Sequence, residues 1–205
     1  MTTQYPASPL LESKVLPLFG GALSAAIPSR FVDVSDFKPI ADTQEVFLDS
    51  ETDQCIIFDI LQHQSNVSDQ ESAKFFFHNI AEELNQSSDF CPVHEVIQLT
   101  SNDMPTLPSE VFKSFCIGQQ RVSKYKQAEL ARNLVTLYLA NVRLPAKATD
   151  IVITLTDPEE ISPFSASARA TPLCKKVSNA REINKEVFAT ILRTFTINDW
   201  SLFDA

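Results

Sequence analysis

Three groups of residues in this chain have types and spacings that could do chemistry. Eight acids, Asp33, Asp36, Asp42, Glu45, Asp49, Glu51, Asp53 and Asp59, crowd into one stretch whose only base is Lys38. Cys91-Pro92-Val93-His94 sets a thiol close to an imidazole. Gly20-Gly21 is the only glycine pair, and Gly118 is the only other glycine. The glycines do not form a phosphate-cradling loop, because no lysine follows the pair at a helix start. They suit a backbone that needs positive φ or close approach. Zinc needs about four ligands at a recognisable spacing, and only His63, His78 and distant cysteines could join Cys91 and His94. No metal and no cofactor is therefore expected. A Cys–His hydrolase needs a third group to orient the base, and the spacing identifies none.

The acids carry more information. A charge run is usually a solvated face, but a concentrated acidic surface also suits a basic protein partner, where opposite charge speeds and orients docking. Asp59 differs from the others because it lies inside the apolar run Cys55-Ile56-Ile57-Phe58 and Ile60-Leu61. A carboxylate there must reach solvent at a rim or find a partner.

The net charge of −9 argues against nucleic acid as a ligand. A looser basic group, Arg121, Lys124, Lys126, Arg132, Arg143 and Lys147, is interrupted by Glu129 and lacks interleaved aromatics. These residues are expected on solvated strand edges. Cys55, Cys91, Cys116 and Cys174 lie far apart with no C-x-x-C pair. Reduced thiols in a cytosolic or nuclear protein are the expectation. Residues 1–17 lack a signal-peptide pattern. No apolar run approaches the ~18 residues of a membrane span, so no membrane contact is expected.

The elements that must position these groups follow from periodicity. Residues 1–17 carry three prolines and no period, and are expected to be a flexible arm preceding a single domain over 18–205. Ala22 to Ile27, Glu45 to Asp49, Gln54 to Leu61, Val93 to Leu99, Val111 to Val122, Leu130 to Arg143 and Asp150 to Thr156 read as strands. Short links favour antiparallel pairing. Both alternating sets of Gln54 to Leu61 are apolar, so that strand is covered on both faces. Ser68-Asp69-Gln70-Glu71 fits a capping box ahead of a helix over Asp69 to Leu84. A second helix runs over Glu182 to Phe195, each with a Phe/Ile stripe. Asp157 to Val177 reads as a loop, and Trp200 to Phe203 is apolar enough to dock on the core. The result is an α/β/α sandwich with a mainly antiparallel sheet.

One family pattern runs through the chain. Leu18-Phe19-Gly20-Gly21-Ala22, Pro28, Asp33-Val34-Ser35, Lys38, Asp42-Thr43-Gln44-Glu45-Val46-Phe47 and Ile56-Ile57-Phe58-Asp59-Ile60-Leu61-Gln62 match it in order. Val135-Thr136-Leu137, Arg143-Leu144-Pro145, Thr149-Asp150 and Ser201-Leu202-Phe203 continue the match. In these residues the chain resembles the Ran guanine-nucleotide release factors, the Mog family. Ala41 stands where the family has proline, and Gln62 where it usually has an acid. The resemblance implies a fold similar to that of the PsbP proteins. It also implies binding to the small GTPase Ran, release of Ran's nucleotide in support of nuclear import, and a place in nucleus and cytoplasm. The protein is then a regulator acting by binding as a monomer, not an enzyme. The alternative is a binding adaptor of the same fold, without release activity, that assists trafficking of a partner. The resemblance places Asp59 and Gln62 on the Ran-binding surface, joined by Asp33, Asp36, Lys38, Asp42 and Glu45.

Overall fold

The computed structural model describes residues 12–35, 37–83, 91–122, 132–165, 168 and 180–204. Among these residues ten strands form two antiparallel sheets. In the larger, β3 (Val32–Asp33), β4 (Gln44–Asp49), β5 (Gln54–Gln62), β9 (Thr149–Glu160), β8 (Asn133–Leu144), β7 (Phe112–Val122) and β6 (Val93–Gln98) lie side by side in that order. The smaller has the order β1 (Ser13–Leu18), β2 (Leu23–Pro28), β10 (Thr196–Ile197). Among the described residues two helices, α1 (Ser72–Glu83) and α2 (Ala180–Thr194), pack with these sheets.

Strand alternation divides the apolar residues into two cores. Phe58, Tyr138, Ala140, Ile151 and Ile153 point to one face and pack with Val187, Phe188, Ile191 and Phe195 of α2 and its end. Leu23, Ala25 and Ile27 of the small sheet and Phe203 of the docked tail join this core. On the other face Cys116, Leu137, Leu139 and Val152 meet Ala73, Phe76, Phe77 and Ala81 of α1. Both helical stripes are therefore buried, as their spacing predicts. Gly118 permits the closest approach: a Cβ there would stand 2.6 Å from the Phe77 ring and 2.5 Å from the Pro92 carbonyl oxygen.

Four expectations are corrected. Residues 13–17 are not a loose arm, because Ser13 to Leu18 pair in register with Pro28 to Leu23. Pro17 is tolerated because β1 is an edge strand, where a missing N–H need not break a ladder. β9 runs four residues past the expected boundary, to Glu160. β5 stops pairing at Thr156, so Pro158 has a strand neighbour only in β8. The remainder of the expected loop lies largely outside the described residues. Ser68 makes no side-chain cap; a 3-10 turn over Asp69–Glu71 leads into α1, and the Ser72 hydroxyl donates to the Asp69 carbonyl at 2.7 Å.

The fourth correction concerns Arg143, which is 2% exposed and no solvated edge. Its Nε donates to Asp150 at 3.2 Å, and its Nη1 to Asp69 at 3.0 Å and the Val67 carbonyl at 2.7 Å. Nη2 donates to the Gln64 carbonyl at 2.6 Å. Asp150, fully buried, also accepts from the Gln64 N–H at 2.8 Å. This pair fixes the segment between β5 and α1 to the β8–β9 hairpin. Lys124 and Lys126 lie outside the described residues, while Lys147 pairs with Asp204.

Candidate partner-binding site

The acidic stretch folds into the β3–β4–β5 side of the large sheet, and the acids there have separate fates. Asp49 is buried and belongs to the hairpin turn. It accepts from the Glu51 N–H at 3.0 Å, the Thr52 hydroxyl at 2.6 Å and Arg30 at 2.6 Å. Burial alone would raise its carboxyl, but the bonds from Thr52, the Glu51 N–H and Arg30 outweigh burial and hold it below its ordinary value. Glu45 accepts from the Phe19 N–H at 2.6 Å. It thereby secures a turn in which Phe19, Gly20 and Gly21 all have positive φ. The glycine pair supplies backbone freedom here, not a phosphate site.

Asp59 is placed by register. It sits opposite Gln44 of β4 and Val152 of β9, on the α1 face of the sheet. Gln44 Nε2 donates to its Oδ1 at 2.5 Å. Burial raises the Asp59 carboxyl, the Gln44 bond opposes that, and the negative field of Glu83 at the end of α1 raises it further. Asp59 is thus half-buried beside a second acid and bonded to a neutral amide. That is a poor resting place for a carboxylate and a good one for an arriving cation.

The other predicted residues are only partly gathered with it. Pairing of β5 with β9 runs without a shift from Cys55 to Gln62. Alternation therefore aims Gln62 to the face opposite Asp59. Gln62 is exposed at the strand's end. Asp33 pairs across from Phe47, so it too takes the opposite face, with Glu45. Its Oδ1 accepts from the Ser35 N–H at 2.8 Å, an Asx turn that starts the β3–β4 connection. Lys38 and Asp42 are exposed in that connection. Asp36 lies outside the described residues. The residues thus surround one edge of the sheet instead of sharing a flat surface.

Sequence reasoning missed Gln44 and Glu83. Gln44 could have been found from its strand partner, since it opposes Asp59 across a short hairpin. Glu83 had no such signal, because it enters from a helix packed across the sheet.

A groove of about 580 Å³ opens on the same sheet face. It passes the C-terminal end of α1, marked by Ile80 and Glu83, and runs across Val46, Leu48 and Ile57 toward Val135 and Gln120. Cys91 and His94 form no comparable site. Cys91 is buried, and burial raises its thiol against the weaker opposing field of Arg132. His94 is exposed on β6. A thiol kept protonated is a poor nucleophile. Cys55, Cys91 and Cys116 form no disulfide among the described residues, and burial pushes Cys116 up to about 12; Cys174 lies outside the described residues. Among the described residues no helix is long and apolar enough to cross a membrane.

Fold and site together define an antiparallel α/β/α sandwich of the Mog1 and PsbP type with an acidic sheet edge. The crystal structure of the Saccharomyces cerevisiae Ran-binding protein Mog1p superposes with a TM-score of 0.68 at 21% identity, over 94% of this chain and 99% of that one. Cyanobacterial PsbP (CyanoP) from Synechocystis superposes with a TM-score of 0.50 at 11% identity, over 96% and 98%. At these identities the likeness is one of fold. The family model described as Ran-interacting Mog1 protein matches residues 16–158, and the chain belongs to that family. A probable ran guanine nucleotide release factor of Dictyostelium discoideum is 32% identical over 91% of this chain and 94% of its own. Nuclear import protein MOG1 of Saccharomyces cerevisiae is 26% identical over 94% of this chain and 86% of its own.

Proposed function

We propose that this protein binds the small GTPase Ran and promotes release of its guanine nucleotide, in support of nuclear import. The observation that carries the reading is the family match, whose span of residues 16–158 contains the whole β3–β5 edge and its acids. The relatives' names, a release factor and a nuclear import protein, agree with it. The mechanism needs no bond-making. A protein that prefers nucleotide-free Ran to loaded Ran must lower nucleotide affinity by the same factor. Carboxylates serve this by pairing with lysines or arginines that otherwise hold phosphate or a switch segment. The chain acts as a monomeric binding regulator, not an enzyme, in nucleus and cytoplasm.

Within the site Asp59 leads, because it is half-buried, near Glu83 and without a cation of its own among its described hydrogen-bond partners. Lys38 and Asp42 flank it on the exposed connection, with Asp36 in the same connection by sequence. Asp33 and Glu45 support the edge from its other face. Gln62 sits at the rim, where it can accept a hydrogen bond but cannot neutralise a cation.

Release of a fluorescent nucleotide from loaded Ran tests the reading. The expected result is faster release with the protein than without it. Binding without faster release would instead identify an adaptor. No binding to Ran in any nucleotide state would overturn the proposal.

A further inference from the structure

The described residues cover the α1 face of the large sheet only in part. The α1 core holds Cys116, Leu137, Leu139 and Val152, toward the β7–β8 side. Val46, Leu48, Cys55 and Ile57, on β4 and β5, line the open groove instead. Two observations mark this groove as more than uncovered sheet. Phe37 is 79% exposed, the most exposed of the large hydrophobic residues described, and it stands beside Lys38 in the connection that borders the groove. Gln120, also lining the groove, is 1% exposed. Its Nε2 donates to the Phe77 carbonyl at 2.6 Å, but its buried Oε1 has no donor among the described residues. An acceptor buried without a donor is costly, and a ligand that brings one recovers the loss.

Charge selects the occupant. Glu83 lines the groove at the end of α1, and among the described residues it receives a long 3.5 Å bond from Asn79. Asp59 lies one pleat beyond Ile57 on the same face. The two carboxylates repel each other, and the chain as a whole carries a net charge of −9. A neutral apolar segment would bury this repulsion, and an acidic one would worsen it. A cation set between the two acids removes it.

We infer that this groove receives an extended segment of the GTPase in which an apolar residue adjoins a lysine or arginine. The apolar side chain packs on Phe37 and Ile57. The cation sits between Asp59 and Glu83. A donor from the same segment meets Gln120 Oε1. The inference rests on the Ran-binding reading above, and it makes Phe37 and Glu83 specificity determinants.

The test is the dissociation constant of the full-length protein for nucleotide-free and GDP-loaded Ran, measured by titration at two salt concentrations. Phe37→Ala and Glu83→Lys are the variants, and both sites are exposed, so folding should be unaffected. Val15→Ala, exposed in the small sheet, is the reference. Thermal melts accompany each. Phe37→Ala should weaken binding about tenfold or more, as the loss of an aromatic anchor does, with little dependence on salt. Glu83→Lys should weaken it by a similar factor that shrinks at high salt, and Val15→Ala should change nothing. If unaltered protein fails to bind Ran, the functional reading itself falls and takes the inference with it. If unaltered protein binds, and correctly folded Phe37→Ala and Glu83→Lys bind as well as it does, only the groove is overturned.

Discussion

Replacing Asp59 with asparagine should make the protein more stable and a weaker binder at once. Burial and the Glu83 field both disfavour the Asp59 carboxylate in the folded state, against the Gln44 bond, and the balance leaves its pKa raised. A group raised on folding contributes its full stability only below the unfolded value of 3.8 and loses it as pH rises through the folded value. Ionised Asp59 is therefore a net cost near pH 7. Asparagine keeps an acceptor for Gln44 Nε2, 2.5 Å away, while removing the charge. For a partly exposed like-charge pair the relief is about 0.2–1 kcal/mol, a rise in melting temperature of at most about 4 °C for a chain of this size. The gap between Asp59→Asn and the parent should narrow as pH falls from 7 toward 3.8, because protonation removes the same charge from the parent. Binding should move the other way. Losing a charged contact costs about 2–5 kcal/mol in a desolvated interface and much less at a rim. A half-buried site between those limits suggests roughly 1–2 kcal/mol, or about five- to thirty-fold in Kd. Melting curves across pH and titration with Ran measure the two effects. A variant that melts lower than the parent at pH 7 would show that Asp59 holds the fold together, and the electrostatic reasoning would be wrong. A variant with unchanged Ran affinity would remove Asp59 from the binding surface.

Other substitutions probe the frame and the rim. Arg143→Leu should cost about 3–5 kcal/mol in chemical denaturation, because it strands buried Asp150 and the Gln64 and Val67 carbonyls. Phe77→Ala should cost about 3–5 kcal/mol, since the ring is fully buried against Gly118; a loss below 1 kcal/mol would mean the α1 face is loosely packed. Gln62→Glu should leave Ran affinity unchanged or strengthen it by no more than about fivefold, the scale of an exposed charge pair. A tenfold gain there would mean that the two faces of β5 serve one partner.

Much of the frame was legible in the chain. The doubled apolar pattern of Gln54 to Leu61 specified a strand covered on both faces, but β5 buries only the face of Ile56 and Phe58, and Cys55 and Ile57 on its other face line the groove. The Phe76, Phe77 and Ala81 stripe specified the buried side of α1. β1 escaped notice because Pro17 argues against a strand unless one knows that it lies at an edge. Arg143 escaped because its partners Gln64, Val67 and Asp69 are more than seventy residues away, and a lone base near a turn reads as solvated. The acids were legible as a group but not by role. Nothing local distinguishes Glu45, which holds a turn, from Asp59, whose meaning depends on Gln44 and Glu83.

The docked tail carries a consequence for synthesis. β2 near the start of the chain pairs with β10 near its end, Ser24 with Thr196 and Leu23 with Ile197. The core on that face also needs α2 and Phe203. A growing chain can therefore finish the α1 face, with its groove, from residues up to Pro158, while the other face stays open until α2 and Phe203 emerge. During that interval Leu23, Ile27, Phe58 and Ile153 lack their cover, and uncovered apolar surface on a nascent sheet invites aggregation. The proposed surface for recognition is ready before the core that stabilises it, so a chain cut short before α2 would display that face on an unfinished fold.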